Sequence, residues 1–428
     1  MNFKFAIINI LICTTVLFSQ PEVREKLTLQ QAEATALANH PRIAGALNRA
    51  EAAAQIPIEI RADAMPTVSA NFTGAAALDR SRIAAGGLNN PIIYDRIAAG
   101  FTLTQVITDF GRNRDLADSA RLRADSLKQL TEVARGDIVV MVDRAFYAVL
   151  RAQARLSVAE KTLAARQLVN ERVSVLVKNS LRSTLDLSFA AVNVAEAKIL
   201  IEAERNELQG TEAVLWAAMG ITDQKQYELV DDVTVDAISG DQKTMLQQAI
   251  AQRPELATLR LEGTAAGQFA KAESHLGMPV ITAIGTMGVM PVHAVEMRGT
   301  FAAAGVNVNV PIFNGHIYSA RKTEASLQLR AAQNRLKDAE LQVVRDVRLA
   351  YLNALSAYQR VGLTAQLQEQ AVLALDLAQA RYDLGLSTIV ELSQAHLSVT
   401  NAELAGASAR YEYLGRRADL RYQLGANR

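Results

Sequence analysis

The side chains able to do chemistry are scattered along this chain, and their spacing argues against catalysis. The five histidines are His40, His275, His293, His316 and His396. None forms the i, i+4 pair with an intervening Glu that sets two imidazoles around zinc on one helix face. No Gly-rich loop follows a strand to cradle phosphate, and no Ser occupies the sharp strand-to-helix turn that exposes a nucleophile. Met278, Met287, Met290 and Met297 surround His293, and such soft ligands suit Cu(I) or Ag(I). Methionine is also an ordinary apolar residue of a lipid-facing strand, and that is the reading adopted. The side chains therefore point to no enzyme, no cofactor and no resident metal. Two carboxylates remain of interest. Asp186 and Glu391 each lie six residues past the start of a matching helix turn. They are either solvated helix charges or one functional feature written twice.

Composition narrows the class further. Half of the 428 residues are hydrophobic but only 5% are aromatic, with Ala dominant. Such a chain reads as long packed helices, not as a globular core rich in rings. Lys4 followed by an apolar run over 5–18 and then Ser19 reads as a signal peptide, residues 1–19. At about 14 residues the run is short of the roughly 20 needed to span a bilayer. Cys13, the only cysteine, falls inside that signal and follows Ile12, so neither lipidation nor a disulfide is expected. Without Lys4 the chain holds 44 basic and 44 acidic residues, and this neutrality argues against nucleic acid as a partner. Past the signal no apolar window reaches spanning length, so any membrane crossing must use strands of a closed barrel.

The chain is written twice. Ala36-Leu37-Ala38-Asn39-His40-Pro41 returns as Ala249-Ile250-Ala251-Gln252-Arg253-Pro254, and Met65-Pro66 as Met278-Pro279, each 213 positions on. Gly111 stands opposite Gly315, 204 positions on, and Ser180 to Asp186 opposite Gly385 to Glu391, 205 on. The first copy therefore carries eight or nine extra residues between Pro66 and Gly111. The organisation expected is a first repeat over 20–222, a linker over 223–240 and a second repeat over 241–428.

Each copy predicts the same elements. A helical start (27–64; 241–276) stops at Met-Pro. Two strands follow, at 67–73 and 99–105 within a β region of about 66–106, and at 280–286 and 305–310 within about 278–311. Their apolar residues alternate with Thr, Gln and Asn, and a Gly- and Asn-rich loop at 86–91 joins the first pair. A helical hairpin then runs over 112–219 and over 316–425. Its outgoing arm (112–178; 316–383) is about 100 Å long, with coiled-coil spacing at Leu341, Val344, Val347, Tyr351, Ala354 and Tyr358. The returning arms (184–219; 389–423) are half as long. The expectation is that 241–276 completes the first return and 27–64 the second, giving four rods of one length.

Four strands cannot close a barrel, and open edges are not tolerated in hydrocarbon. Several chains must pool their strands, and three would give twelve, a feasible outer-membrane barrel. The fold expected is mainly α with a small β part: a trimeric barrel, four strands per chain, continued by a long helical coiled-coil barrel built from a tandem repeat.

Leu27-Thr28-Leu29 entering a helix that ends at His40-Pro41, Thr108-Asp109-Phe110-Gly111-Arg112, and Pro311-Ile312-Phe313-Asn314-Gly315 recur in order. The most specific segment is Arg381-Tyr382-Asp383-Leu384-Gly385-Leu386-Ser387-Thr388-Ile389-Val390-Glu391-Leu392, followed by Ala395. With these marks the chain resembles the TolC-type outer membrane efflux protein family over essentially its whole mature length. The resemblance implies a homotrimer seated in outer-membrane lipid, with its helical tunnel in the periplasm and an equatorial band from the linker and the C-terminal end. It implies a passive exit duct of a tripartite efflux or type I secretion system. The helix turns would meet a periplasmic adaptor (a membrane fusion protein) fed by an inner-membrane pump of RND or ABC type. Carried over by motif, the docking tip comprises Ser180, Leu181, Arg182, Ser183, Gly385, Leu386 and Thr388, although Arg182 and Ser183 could face only water. The periplasmic constriction comprises Asp186, Glu391 and Gln394, with Tyr382 and Ser387 beside them. Two departures stand out. Ser180 replaces the usual Gly of the first turn, leaving that turn's geometry open. Ser387 and Gln394 stand where some members carry a latching Arg and an acidic residue, so a looser latch and weaker cation block are expected. The rival readings, a periplasmic coiled-coil adaptor or a structural helical scaffold, fit less well: the first has one hairpin, and the second needs no paired strands.

Overall fold

The computed structural model describes residues 25–76, 78, 95–222, 227–231, 234–293 and 298–425. The signal with Cys13, the loop at 86–91 and Met297 lie outside the described residues.

Strand β1 (Glu25–Leu27) leads into α1 (Leu29–Asn39) through a capping box, in which the Thr28 hydroxyl and the Gln31 side chain each bond the other's backbone. Pro41 stops that helix, because the residue before a proline is pushed out of helical geometry. His40 accordingly has ψ 122°, and α2 (Pro41–Ala53) and α3 (Ile56–Ala62) follow. The second copy repeats the break: α6 (Gln242–Gln252) ends at Arg253, ψ 124°, before α7 (Pro254–Ser274). The single helical starts read from sequence are thus divided at X-Pro in both copies, with a further break after Ala53 in the first.

The strands are longer than their alternation suggests: β2 (Thr67–Ala75), β3 (Arg96–Thr108), β5 (Val280–Val292) and β6 (Thr300–Asn309), with β4 (Tyr227–Leu229) in the linker. They form an antiparallel sheet in the order β2-β3-β5-β6, while β1 pairs parallel with β4. Register places Ala70, Phe101 and Met287 in one row, and Ser69, Thr102 and Thr286 in the next. Period-two geometry then gives two unlike faces. One exposes Val68, Phe72, Phe101, Leu103, Met287, Val306 and Val308. The other carries Thr and Asn, with Asn71 donating to the Thr102 hydroxyl at 3.1 Å. Phe301 lies on this polar face across Gly100 and Gly288, where a Cβ would meet its ring within 3 Å. The outer edges of β2 and β6 are unpaired among the described residues, so one chain makes an open sheet.

Below the sheet run α4 (Arg112–Lys178) and α8 (Ile317–Asp383), 67 residues each, with returns α5 (Thr184–Met219) and α9 (Ile389–Gln423). These match the sequence reading within a residue, because Gly111 and Gly315 start them and no proline interrupts. The splicing differs from expectation. Gly220, which caps α5, abuts Asn39 and His40, and Gly425, beyond α9, abuts Gln252 and Arg253. Arg253 Nη1 also bonds the Gln423 side chain at 2.8 Å. Each return is therefore completed by the helical start of its own copy: α5 by α2–α3, and α9 by α7. The wall runs α5-α4-α9-α8 in its lower half and α2/α3-α4-α7-α8 in its upper half. Most of the buried aromatic side chains gather at mid-height around Phe146, Trp216 and Tyr413, where α1, β1 and β4 pack on the wall. Elsewhere Ala lines the contacts and lets the backbones approach.

Candidate functional site: the two helix turns

The turns at the far end of the wall are near copies of each other. In the first, Ser180 N–H donates to the Val177 carbonyl at 3.0 Å and Leu181 N–H to that of Leu176 at 2.8 Å. In the second, Gly385 donates to Tyr382 at 3.0 Å and Leu386 to Arg381 at 2.8 Å. This pattern is the Schellman stop, which needs a left-handed residue. Gly385 supplies it at φ 75° and Ser180 at φ 61°. Ser180 therefore adopts the conformation of Gly385 without altering the turn, at a cost of about 1 kcal/mol.

Both returns begin alike. Ser183 Oγ accepts from Asp186 N–H at 3.2 Å, and Thr388 Oγ1 from Glu391 N–H at 3.4 Å. Ser183 and Thr388 are thus N-caps. Asp186 and Glu391 lie in the first helical turn, where the helix dipole favours a negative charge.

The two turns are joined within the chain. Arg182 Nη2 donates to the Tyr382 carbonyl at 2.6 Å, and its guanidinium lies 4.5 Å from the centre of the Tyr382 ring. Tyr382 is buried with Val173, Ala190, Ile389 and Leu392. Its hydroxyl has no hydrogen-bond partner, and burial, with Asp186 nearby, raises its pKa. One turn further up, Asn193 Nδ2 donates to Ser393 Oγ at 2.7 Å. The Arg381–Glu391 pair at 3.4 Å is largely exposed on both sides and contributes little. Gln394 is exposed, and the half-buried Ser387 hydroxyl has no hydrogen-bond partner. Beside Tyr382 opens an apolar groove of about 450 Å³ between α4 and α8.

The tip residues named from sequence are thus brought together, with one unforeseen role. Arg182 turns inward against Tyr382 instead of projecting from the tip. It occupies the position in the first turn that Ser387 occupies in the second. The Asn193–Ser393 contact was not legible in the sequence, since each residue alone is an ordinary polar residue on a helix. Met278 precedes β5, and Met287 lies on the apolar face of the sheet.

The profile of the outer membrane efflux protein family matches this chain twice, over residues 34–221 and 245–426. The chain belongs to that family. The two matches coincide with the two repeats, and the chain is accordingly an outer membrane efflux channel and not an enzyme. Outer membrane protein TolC of Vibrio cholerae serotype O1 is 24% identical over 409 residues, covering 90% of this chain and 88% of that protein. In Escherichia coli K12, TolC is 28% identical over 121 residues, 28% of this chain and 24% of its own length. Among solved structures, CusC superposes with a TM-score of 0.81 at 17% identity, over 93% of this chain and 92% of that one. The open state of the Neisseria gonorrhoeae MtrE outer membrane channel gives 0.78 at 19%, over 93% and 89%. At these identities the structures attest the fold.

Proposed function

We propose that three copies of this chain close into one passive, gated duct of a tripartite efflux or type I secretion system. In this reading the four-stranded sheets complete a twelve-stranded barrel in outer-membrane lipid, and the rods form a tunnel through the periplasm. The observation that carries the proposal is the open sheet with one apolar face, set on a wall of matched rods. An apolar face with two unpaired edges is stable in lipid only when closed by further copies. The tip, Ser180 to Ser183 with Gly385, Leu386 and Thr388, meets a periplasmic adaptor, and an inner-membrane pump of RND or ABC type supplies energy and selects cargo. Asp186, Glu391 and Gln394 line the constriction. Arg182 and Tyr382 hold the two hairpins of one chain together in the closed tip, in place of an arginine at Ser387. Cross-linking from a photoreactive residue at Ser180 or Leu386 in cells should capture an adaptor. Capture of none, in cells exporting through this channel, would overturn the docking assignment. In planar bilayers, multivalent cations should block the channel, and block that survives Glu391→Ala would remove that residue from the gate.

A further inference from the structure

The mid-height of the wall contains a charge cluster that nothing in the duct reading uses. Asp143 on α4 is fully buried, and its Oδ1 has no hydrogen-bond partner. Its other oxygen accepts from Arg421 Nη2 on α9 at 2.6 Å. The same Nη2 reaches Glu33 Oε1 on α1 at 3.4 Å. Two carboxylates from different elements thus share one guanidinium. The remaining ionisable groups facing them are Tyr147 on α4 and Arg417 on α9. Burial and the nearby Asp143 carboxylate push the Tyr147 hydroxyl up to about 12, so it stays neutral. Arg417 is engaged with the Thr234 carbonyl at 3.3 Å and Asp236 at 3.9 Å. The surroundings are apolar: Ala32, Ala36, Val142, Phe146, Leu414 and Ala418.

The duplication supplies an internal control. The 213-position offset carries Glu33 to Leu246, and the 205-position offset between the two 67-residue helices α4 and α8 carries Asp143 to Arg348. Arg348 is exposed, and Leu246 packs against the apolar cluster that α6 makes with α8. The same joint in the second repeat is therefore made without a buried carboxylate pair. A buried carboxylate pair is costly where hydrocarbon would serve, so the wall itself does not require it.

We infer that Asp143 holds a proton against Glu33 across the α1–α4 contact, and that losing it loosens the N-terminal helix from the tunnel wall. With the proton present, the neutral Asp143 carboxyl faces the Glu33 carboxylate and Arg421 balances the one remaining charge. Without it, two negative charges face one arginine in an apolar pocket. Burial first, then the neighbouring Glu33, push the Asp143 carboxyl up to about 7 against the pull of Arg421. The sign follows from that upward shift. The folded chain holds a proton that the unfolded chain has lost, so stability falls as pH rises from the ordinary carboxylate range to about 7, then levels off. Glu33 is 23% exposed, which gives the proton a route to solvent.

The test compares α1 with α6 in the same intact, detergent-solubilised channel. Amide hydrogen exchange, corrected for the intrinsic effect of pH, should show α1 protection falling several-fold relative to α6 between pH 6 and pH 8. Asp143→Asn should abolish that relative fall. Glu33→Gln changes a partly exposed group, which safeguards folding, and leaves Asp143 paired to Arg421 alone; it should abolish the fall as well. A constant α1-to-α6 ratio in the unaltered channel would overturn the inference. So would a pH-dependent ratio that persists unchanged in Glu33→Gln.

Discussion

The two helix turns differ at the residues that matter most to backbone and charge, yet their geometry is one. Ser180 and Gly385 hold the same left-handed stop with the same two hydrogen bonds. Ser183 and Thr388 cap the returning helices in the same way. What differs is the cross-link: Arg182 reaches over to Tyr382, whereas Ser387 at the matching place makes no hydrogen bond. A turn's shape is thus set by hydrogen bonds that several residue types can satisfy, while the tie between turns depends on one long side chain.

The largest effect expected is on that tie. Arg182→Ala removes a partly buried, charge-assisted hydrogen bond and a ring contact, together worth about 1.5–3 kcal/mol. If they hold the tip closed, open occupancy in planar bilayers should rise on the order of tenfold, since about 1.4 kcal/mol is tenfold. Ser387→Ala should leave it unchanged. Equal responses would erase the asymmetry between the turns.

A smaller, opposed pair of effects is expected at the stops. Ser180→Gly should stabilise the first turn by about 1 kcal/mol and Gly385→Ser should destabilise the second by about as much, because only glycine adopts positive φ without steric cost. Native-state hydrogen exchange of the Leu181 and Leu386 amides reads each turn's opening directly. The smallest difference should lie at the caps. Ser183→Ala and Thr388→Ala should each cost about 1 kcal/mol and agree within about 0.5 kcal/mol. Unequal cap costs would show that the turns share a shape but not an energy.

Much of the fold was legible because its signals are local. Gly111, Gly315 and the absence of proline delimit the long helices, and alternation of Val, Phe and Leu with Thr and Asn marks the strands. Strand ends were underestimated where Ala-rich stretches such as 302–304 mute the alternation. The stacking of half-helices was misassigned because lengths alone match either partner; what decides is the contact of Gly220 with His40 and of Gly425 with Arg253. At the tip, Asp186 and Glu391 stand out through duplication, and both lie in the first turn of a returning helix. Arg182 was placed at the right turn but facing outward, since a side-chain direction across 200 positions leaves no periodic trace. The Glu33–Asp143–Arg421 cluster was invisible for the same reason, as its members are ordinary helix charges until α1, α4 and α9 meet.

The central claim is that one chain supplies only part of a closed tube. Native mass spectrometry of the detergent-extracted channel tests it most directly. Three chains per particle, dissociating together on heating, are predicted. A stable particle of one chain would contradict the account.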